Sequence, residues 1–311
     1  MHQPVMLEAV VKLLQVKENG CYVDGTLGSG GHAEAVLSRL GSGGRLIGID
    51  RDADALARCR QRLGHFGDRF VPVHGDYRDM KDLVQQVGAD QVDGVVLDFG
   101  VSSEQLDTPA RGFSFRDSGP LDMRMDQRDA LTAADIVNTW DEDALTDLFF
   151  RYGEERGARR AARAIVARRD VESFSDTLDL AQVLEQALGR RHGTPAARRH
   201  PATRCFQALR IAVNDELAGV DAGLASALDV LRTGGRLTVI SFHSLEDRKV
   251  KHFFRAHAGR EVALAQGGSR WEGELPKVRI LTRKALEASA EECTVNPRSR
   301  SARLRGAEKI D

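Results

Sequence analysis

Two aspartates follow short apolar runs at positions where a nucleotide-like ligand could be bound. Asp24 ends the run that begins at Cys21 and precedes the glycine-rich stretch 25–31, and Asp50 ends the next apolar run, 26 residues after Asp24. This order predicts a strand, a glycine-rich turn, a helix and a second strand. Glycines let the backbone approach a ligand, and a carboxylate after the second strand accepts hydrogen bonds from ribose hydroxyls. If the glycines are considered without Asp50, the alternative interpretation is a tight connection between strand and helix that binds no ligand.

The glycine spacing narrows the choice of ligand. No Gly-x-Gly-x-x-Gly register fits residues 25–31, and no Gly-Lys-Ser/Thr follows them. The first absence disfavours a NAD-dependent oxidoreductase and the second disfavours a Walker-type phosphate loop. An Asp-x-Thr-x-Gly-x-Gly-Gly turn suits a ligand that has no phosphates and carries a charged amino acid end. The sequence therefore favours S-adenosylmethionine.

The apolar runs further along the chain predict a mostly parallel sheet. Phe70–His74, Gly94–Asp98 and Gly235–Ser241 read as strands, and the latter two are apolar on both faces, as in a sheet covered by helices on each side. The gap before residue 235 is far longer than one crossover requires. We therefore predict an α/β core formed by residues 1–105 and 206–311, interrupted by a helical substrate-recognition subdomain at 106–205.

Helical spacing supports the insertion, and the C-terminal region suggests further strands. Three helices are predicted there, over 143–152, 154–169 and 175–188, with Ser175 as the N-cap of the third and Gly189 ending it. A helix from Thr203 is expected to return the chain to the core. Segments 278–282 and 299–305 read as two closing strands, one of them antiparallel, and the patch near Gly267 reads as a mobile loop.

Composition restricts the class of protein. The chain has 311 residues, 41% apolar content, a net charge of −1 and four cysteines without disulfide or metal-binding spacing. With no leader and no apolar run long enough to cross a bilayer, we expect a cytoplasmic protein without metal or membrane contact, and a homo-oligomer is compatible with the sequence. Arginines nevertheless cluster at 156–169, 190–204 and 298–305. Such runs are often solvated faces, but beside a methyl-donor site they favour RNA or DNA as the substrate.

The last residue of the fourth predicted strand, Asp98, is the first candidate for catalysis. Parallel strands deliver their last residues to one edge of the sheet, so Asp98 is expected beside Asp24, Asp50, Tyr77 and His243. Methylation of an exocyclic amine needs an acceptor for its N–H group, and a carboxylate or a backbone carbonyl can serve. Two interpretations of Asp98 stay open, as this acceptor or as an anchor for the amino acid end of the cofactor.

Two aromatic positions also have alternatives. Tyr77 is placed to stack on an adenine ring, but an exposed tyrosine in a loop at the sheet edge is an almost equally good interpretation. His243 could act as an acid, a base or a substrate hydrogen-bond donor, or it could be a structural residue after a buried strand. The Asp/Ser-Pro-Pro-aromatic turn of DNA amino-methyltransferases does not occur after strand four.

Long motifs in a fixed order resemble the bacterial 16S ribosomal RNA (cytosine-N4)-methyltransferase family nearly end to end. They are Asp24–Thr26 with Gly28 and Gly30–His32, Leu97–Asp107, Arg111–Phe115, Gly119–Met125, His200–Arg204 and Ser241–Arg248. The resemblance implies a class I methyltransferase with a helical insertion, S-adenosylmethionine as donor, and a cytidine in the decoding region of the small ribosomal subunit as acceptor. Methylation of another RNA base or amine, and a cofactor-sensing ribosome-assembly factor, are the alternatives.

The resemblance also implies site residues. Cofactor contacts are expected from Gly30, Gly31, His32, Asp50, Tyr77, Asp98 and Gln105. The catalytic acceptor is expected among Asp98, Ser102 and His243.

Overall fold

The computed structural model describes residues 4–189, 200–263, 266, 268–272 and 275–311. Its helices are α1 Leu7–Leu14, α2 Gly31–Leu37, α3 Ala53–Leu63, α4 Met80–Gln86, α5 Ser103–Asp107, α6 Ala133–Thr139, α7 Glu142–Arg151, α8 Ala158–Arg169, α9 Thr177–Leu188, α10 Thr203–Val213, α11 Glu216–Val230, α12 Ser244–His257 and α13 Ala290–Val295. Its strands are β1 Cys21–Asp24, β2 Arg45–Asp50, β3 Phe70–His74, β4 Val92–Asp98, β5 Leu231–Ser241, β6 Arg260–Ala263, β7 Ser269–Glu272, β8 Val278–Ile280 and β9 Arg303–Lys309.

The main sheet of the described chain has the strand order β3-β2-β1-β4-β5-β9-β8. Strands β1 to β5 pair in parallel, whereas β9 pairs antiparallel with both β5 and β8. This confirms the α/β, Rossmann-like class. The chain order reverses between β1 and β4, and the carboxyl ends of strands at such a point are where open α/β sheets bind ligands.

Both faces of the sheet are buried, which explains why its strands are apolar without alternation. Val23 and Leu97 belong to one core cluster with Leu224 of α11. Their strand neighbours Tyr22 and Val96 belong to a second cluster. Successive side chains of a strand point to opposite faces, so each face has its own core. Asp98 is the first residue of β4 that is not fully buried.

The chain divides into two compact units, one formed by Met1–Gly100 with Leu217–Asp311 and the other by Val101–Glu216. The predicted insertion, 106–205, falls within the second unit. Helix α10 belongs to this unit too, although the sequence led us to expect it in the core. Its buried residues Cys205, Phe206 and Leu209 join the helical unit's own apolar cluster, which explains the difference.

Helix starts in the second unit differ from the sequence prediction where the backbone or a competing cap intervenes. The third predicted helix is capped by Asp176, whose carboxylate accepts from the amides of Leu178 and Asp179, so Ser175 as N-cap was wrong. Gly189 ends that helix as predicted. Helix α8 starts only at Ala158, because Glu154 adopts a left-handed backbone with φ 48°.

The C-terminal strands also lie partly elsewhere. The second closing strand is β9, at Arg303–Lys309, because Pro297–Ser301 forms a 3-10 turn first. Gly267 lies outside the described residues. Among those described, no helix combines the length and the apolar character that crossing a bilayer requires.

Candidate cofactor-binding and catalytic site

Three aspartates end neighbouring parallel strands of the first unit. Asp24 ends β1, Asp50 ends β2 and Asp98 ends β4, and β1 lies between the other two. The pKa of Asp24 is raised to about 6, mainly by burial and to a smaller extent by the carboxylates of Asp98 and Asp50, although His32 acts to lower it. The sequence prediction that these residues share one edge is thus confirmed, and the edge disfavours negative charge.

Asp98 has an oxygen available for a ligand. Its backbone amide donates to the hydroxyl of Thr26 at 2.6 Å. Its Oδ1 is buried and has no hydrogen-bond partner among the described residues, and its Oδ2 lies 3.7 Å from Nδ1 of His32. Burial, and then the nearby Glu246 carboxylate, raise the pKa of Asp98 to about 8. A buried polar atom without a partner is costly, so Oδ1 is suited to an N–H donor or a cation.

His32 connects Asp98 to the N-terminal segment. Burial lowers the pKa of His32, so the ring is neutral near pH 7. Its Nε2 lies 2.9 Å from the carbonyl oxygen of Val5, which fixes the proton on Nε2 and leaves Nδ1 unprotonated toward Asp98. The amide of Met6 in turn donates to Oε1 of Glu292 in α13 at 2.6 Å.

Residues 4–6 lie directly on the glycine turn. A Cβ built on Gly31 would be 2.2 Å from Cγ of Pro4, so only glycine fits beneath this proline. Val5 and Met6 are buried. Nothing in the sequence analysis pointed to this segment, because its contacts are made by backbone groups and by a carboxylate near the other end of the chain.

Asp50 holds the glycine turn through the backbone. Its Oδ2 accepts from the amide of Gly28 at 2.7 Å and its Oδ1 accepts from the amide of Asp52 at 2.8 Å. Gly28 and Gly30 have φ values of 51° and 78°, which favour glycine. A carboxylate has about four lone-pair sites, so Asp50 retains acceptor capacity for hydroxyl groups.

Tyr77 is half-buried, so its ring is not simply an exposed loop side chain. It packs beside Phe99, with ring centroids 5.7 Å apart. It also lies against α11, since a Cβ on Gly223 would come within 2.4 Å of its ring and one on Gly219 within 2.8 Å of its hydroxyl. The two glycines of α11 make the space for this ring.

His243 caps a helix. It is the N-cap of α12, its Nδ1 accepts from the amide of Glu246 at 3.4 Å, and the Glu246 carboxylate accepts from the amides of Phe242 and His243. This arrangement is a reciprocal capping box. Glu246 was missed by the sequence analysis, although a glutamate three residues after a cap residue is its usual signal.

Ser102 and Gln105 belong to the second unit, whereas the site residues described above belong to the first. They form a capping box at the start of α5, in which Ser102 Oγ accepts from the Gln105 amide and Gln105 Oε1 accepts from the Ser102 amide. Gln105 is buried.

Several arginines expected to contact nucleic acid have structural partners instead. Arg305 makes a two-point ion pair with Asp247, at 2.6 and 3.0 Å, and is buried. Arg169 donates to the carbonyl oxygens of Val137 and Trp140. Residues 190–199 lie outside the described chain. The arginines that stay exposed on α8 and just before it are Arg156, Arg159, Arg160 and Arg163.

The sheet order, the glycine turn and the edge carboxylates define a Rossmann-like enzyme of the class I methyltransferase type. The chain belongs to the MraW methylase family, whose model matches residues 1–310. It is 48% identical over 99% of its length to the "Ribosomal RNA small subunit methyltransferase H" of Carboxydothermus hydrogenoformans, of which 98% is covered. It is 50% identical over 99% of its length to the protein of the same name from Syntrophobacter fumaroxidans, of which 96% is covered.

The contact between Pro4 and Gly31 predicts that Gly31→Ala displaces the N-terminal segment. The added methyl group would need Pro4 to move, which breaks the bonds of His32 to Val5 and of Met6 to Glu292. We expect a loss of about 1–3 kcal/mol in the free energy of unfolding and faster hydrogen exchange at the Met6 amide. Gly64→Ala is the control, since its Cβ meets no atom within 4 Å. Unchanged protection of Met6 would contradict this account.

The raised pKa of Asp98, about 8, predicts a pH-dependent gain in stability for Asp98→Asn. The folded protein favours the neutral acid, so the contribution of Asp98 is most favourable below its unfolded pKa and is lost as the pH rises toward 8. Wild type should therefore lose about 1–3 kcal/mol more than the variant between pH 5 and pH 8. Chemical denaturation at several pH values measures this. Parallel pH profiles of the two proteins would show that Asp98 is not neutral in the fold.

Proposed function

We propose that this protein transfers a methyl group from S-adenosylmethionine to the N4 amine of a cytidine in the decoding region of 16S ribosomal RNA, within the small subunit. Membership of the MraW methylase family and the names of the relatives support RNA methylation. The observation that carries the proposal is Asp98, whose Oδ1 is buried without a partner among the described residues at the carboxyl edge of β4.

The first unit offers groups that fit the cofactor. The turn at Gly30, Gly31 and His32 would hold the amino acid end together with Asp98, and Asp50 would accept from the ribose hydroxyls. Tyr77 would supply an aromatic surface for the base, and Gln105 of the second unit is proposed as a further contact. S-adenosylmethionine supplies a methyl group on a positively charged sulfur. A cation near Asp24 and Asp98 favours their ionised forms, which their burial opposes.

Asp98 is proposed as the acceptor for the amine. In its ionised form Oδ1 accepts an N–H of the exocyclic amine and orients the nitrogen lone pair toward the methyl group. Ser102 and His243 remain the other candidates, although each is used as a helix cap in the structure.

The cysteines disfavour methylation at carbon 5 of cytosine, which needs a thiolate nucleophile. Cys59 is the cysteine beside the glycine turn, with its Sγ 3.3 Å from the carbonyl oxygen of Gly28. Burial raises its pKa to about 12, so the thiol stays protonated. Burial also raises the pKa of Cys21 and Cys205.

The helical second unit is proposed to recognise the RNA substrate. Arg159 and Arg163 are 71% and 68% exposed and share Glu142 of α7 at 3.7 and 3.6 Å. Two arginines on one carboxylate leave a net positive surface, to which Arg156 and Arg160 add. Such a surface suits phosphate groups.

The experiment for the proposed function is mass spectrometry of nucleosides from small-subunit RNA methylated by the purified protein. We expect N4-methylcytidine with wild type and with Cys59→Ala, and almost none with Asp98→Ala at saturating cofactor. Detection of 5-methylcytidine would refute the mechanism, and another methylated amine would support the runner-up substrate. Binding of one labelled cofactor equivalent without turnover would support an assembly factor.

A second measurement tests the cofactor role of Asp50. Asp50→Ala should weaken S-adenosylmethionine by about 1–3 kcal/mol in calorimetric titration, because two hydroxyl groups lose a charged acceptor. Asp52→Ala is the matched control, since the Asp52 carboxylate caps α3 by accepting from the Asp54 and Ala55 amides. Equal affinity losses in the two variants would mean that the loss comes from disturbing the local structure after β2 and not from a contact of Asp50 with the ribose.

A further inference from the structure

Helix α12 begins at the sheet edge that carries Asp98. Strand β5 pairs in parallel with β4, with Ile240 opposite Asp98, and the amide of Phe99 donates to the carbonyl oxygen of Ile240 at 3.1 Å. Strand β5 ends at Ser241 and α12 begins at Ser244. The first turn of the helix therefore lies at the catalytic edge, and the helix leads away from it.

One face of α12 is basic along its length. Arg248, His252 and Arg255 are exposed and are spaced by four and three residues, so they share one helix face. At 1.5 Å per residue they are separated by about 6 and about 4.5 Å along the helix axis. Lys251 is partly exposed and lies next to this face.

The acids of the same helix do not neutralise His252 or Arg255. Glu246 is 1% exposed and is used in the cap of the helix, and Asp247 is held by Arg305 of β9. In the described part of the chain no carboxylate oxygen lies within 4 Å of a side-chain nitrogen of His252 or Arg255. Lys251 and Arg255 are also a like-charged i,i+4 pair, which destabilises a helix. A solvated face selected for helix stability would avoid that pair.

A second basic pair lies at the same sheet edge. Strands β5 and β8 both run antiparallel to β9, so their carboxyl ends point the same way. Arg283 and Lys284 follow β8 and are both exposed. Helix α12 packs on β8 and β9.

We propose that Lys251, His252 and Arg255 of α12, with Arg283 and Lys284, bind the phosphate backbone of the substrate RNA strand as it leaves the methylated nucleotide. This inference rests on the proposed function for the identity of the RNA. It assigns backbone positioning to the first unit, in addition to the role proposed for the helical unit. Phosphate contacts fix register and supply salt-dependent affinity without reading sequence.

The test compares Lys251→Ala/Arg255→Ala with Arg58→Ala/Arg60→Ala, which removes two exposed arginines from α3. Methylation of small subunits is followed as a function of salt. We expect the α12 variant to raise KM at least about tenfold, to leave cofactor affinity unchanged, and to reduce the slope of log affinity against log salt by about 1.4–1.8. The α3 variant should match wild type.

An unchanged KM and salt slope in the folded α12 variant would overturn the proposal, and so would equal losses in both variants. If wild type methylates no small subunits, direct binding of decoding-region RNA replaces the assay. A loss of binding confined to the α12 variant would then support the surface while the proposed reaction fails. Equal RNA binding by both variants would refute the surface alone.

Discussion

The structure depends on the way parallel strands bring their last residues together. Because β2, β1 and β4 are neighbours, the carboxyl groups of Asp50, Asp24 and Asp98 must share one desolvated edge. Burying carboxylates is unfavourable, and the raised pKa values of Asp24 and Asp98 express mainly that cost, to which neighbouring carboxylates add. Contacts around the three aspartates reduce this cost. A neutral histidine faces Asp98, two backbone amides hold Asp50, and the amide of Thr26 donates to Asp24.

The start of α12 serves the fold and the site together. Glu246 satisfies backbone amides that would otherwise be unpaired at the helix start, and the same carboxylate raises the pKa of Asp98. A change at His243 or Glu246 therefore affects the helix cap and the electrostatics of Asp98 at once. Loss of activity in such a variant does not by itself identify a residue that touches the substrate.

The sequence was informative wherever the determinants are local. The apolar run ending in Asp98 predicts β4, and Gly189 predicts the end of α9. It was uninformative where partners are distant. Arg305 is paired with Asp247, 58 residues away, and the place of the Tyr77 ring is decided by Gly219 and Gly223. Ser175 and Asp176 are both good caps, so only backbone geometry could choose between them.

The contact between Met6 and Glu292 joins residues 286 positions apart, and this has a consequence for biosynthesis. The glycine turn is translated well before Glu292, whose carboxylate holds the segment above the turn, and β9, which covers the edge of β5, follows later still. At about 5–20 residues per second, the interval between the turn and Glu292 is roughly 13 to 52 seconds. Throughout it the turn lacks this support, and once β5 has been made its edge stays exposed until β9 follows. A part of the fold that is made early is thus completed late.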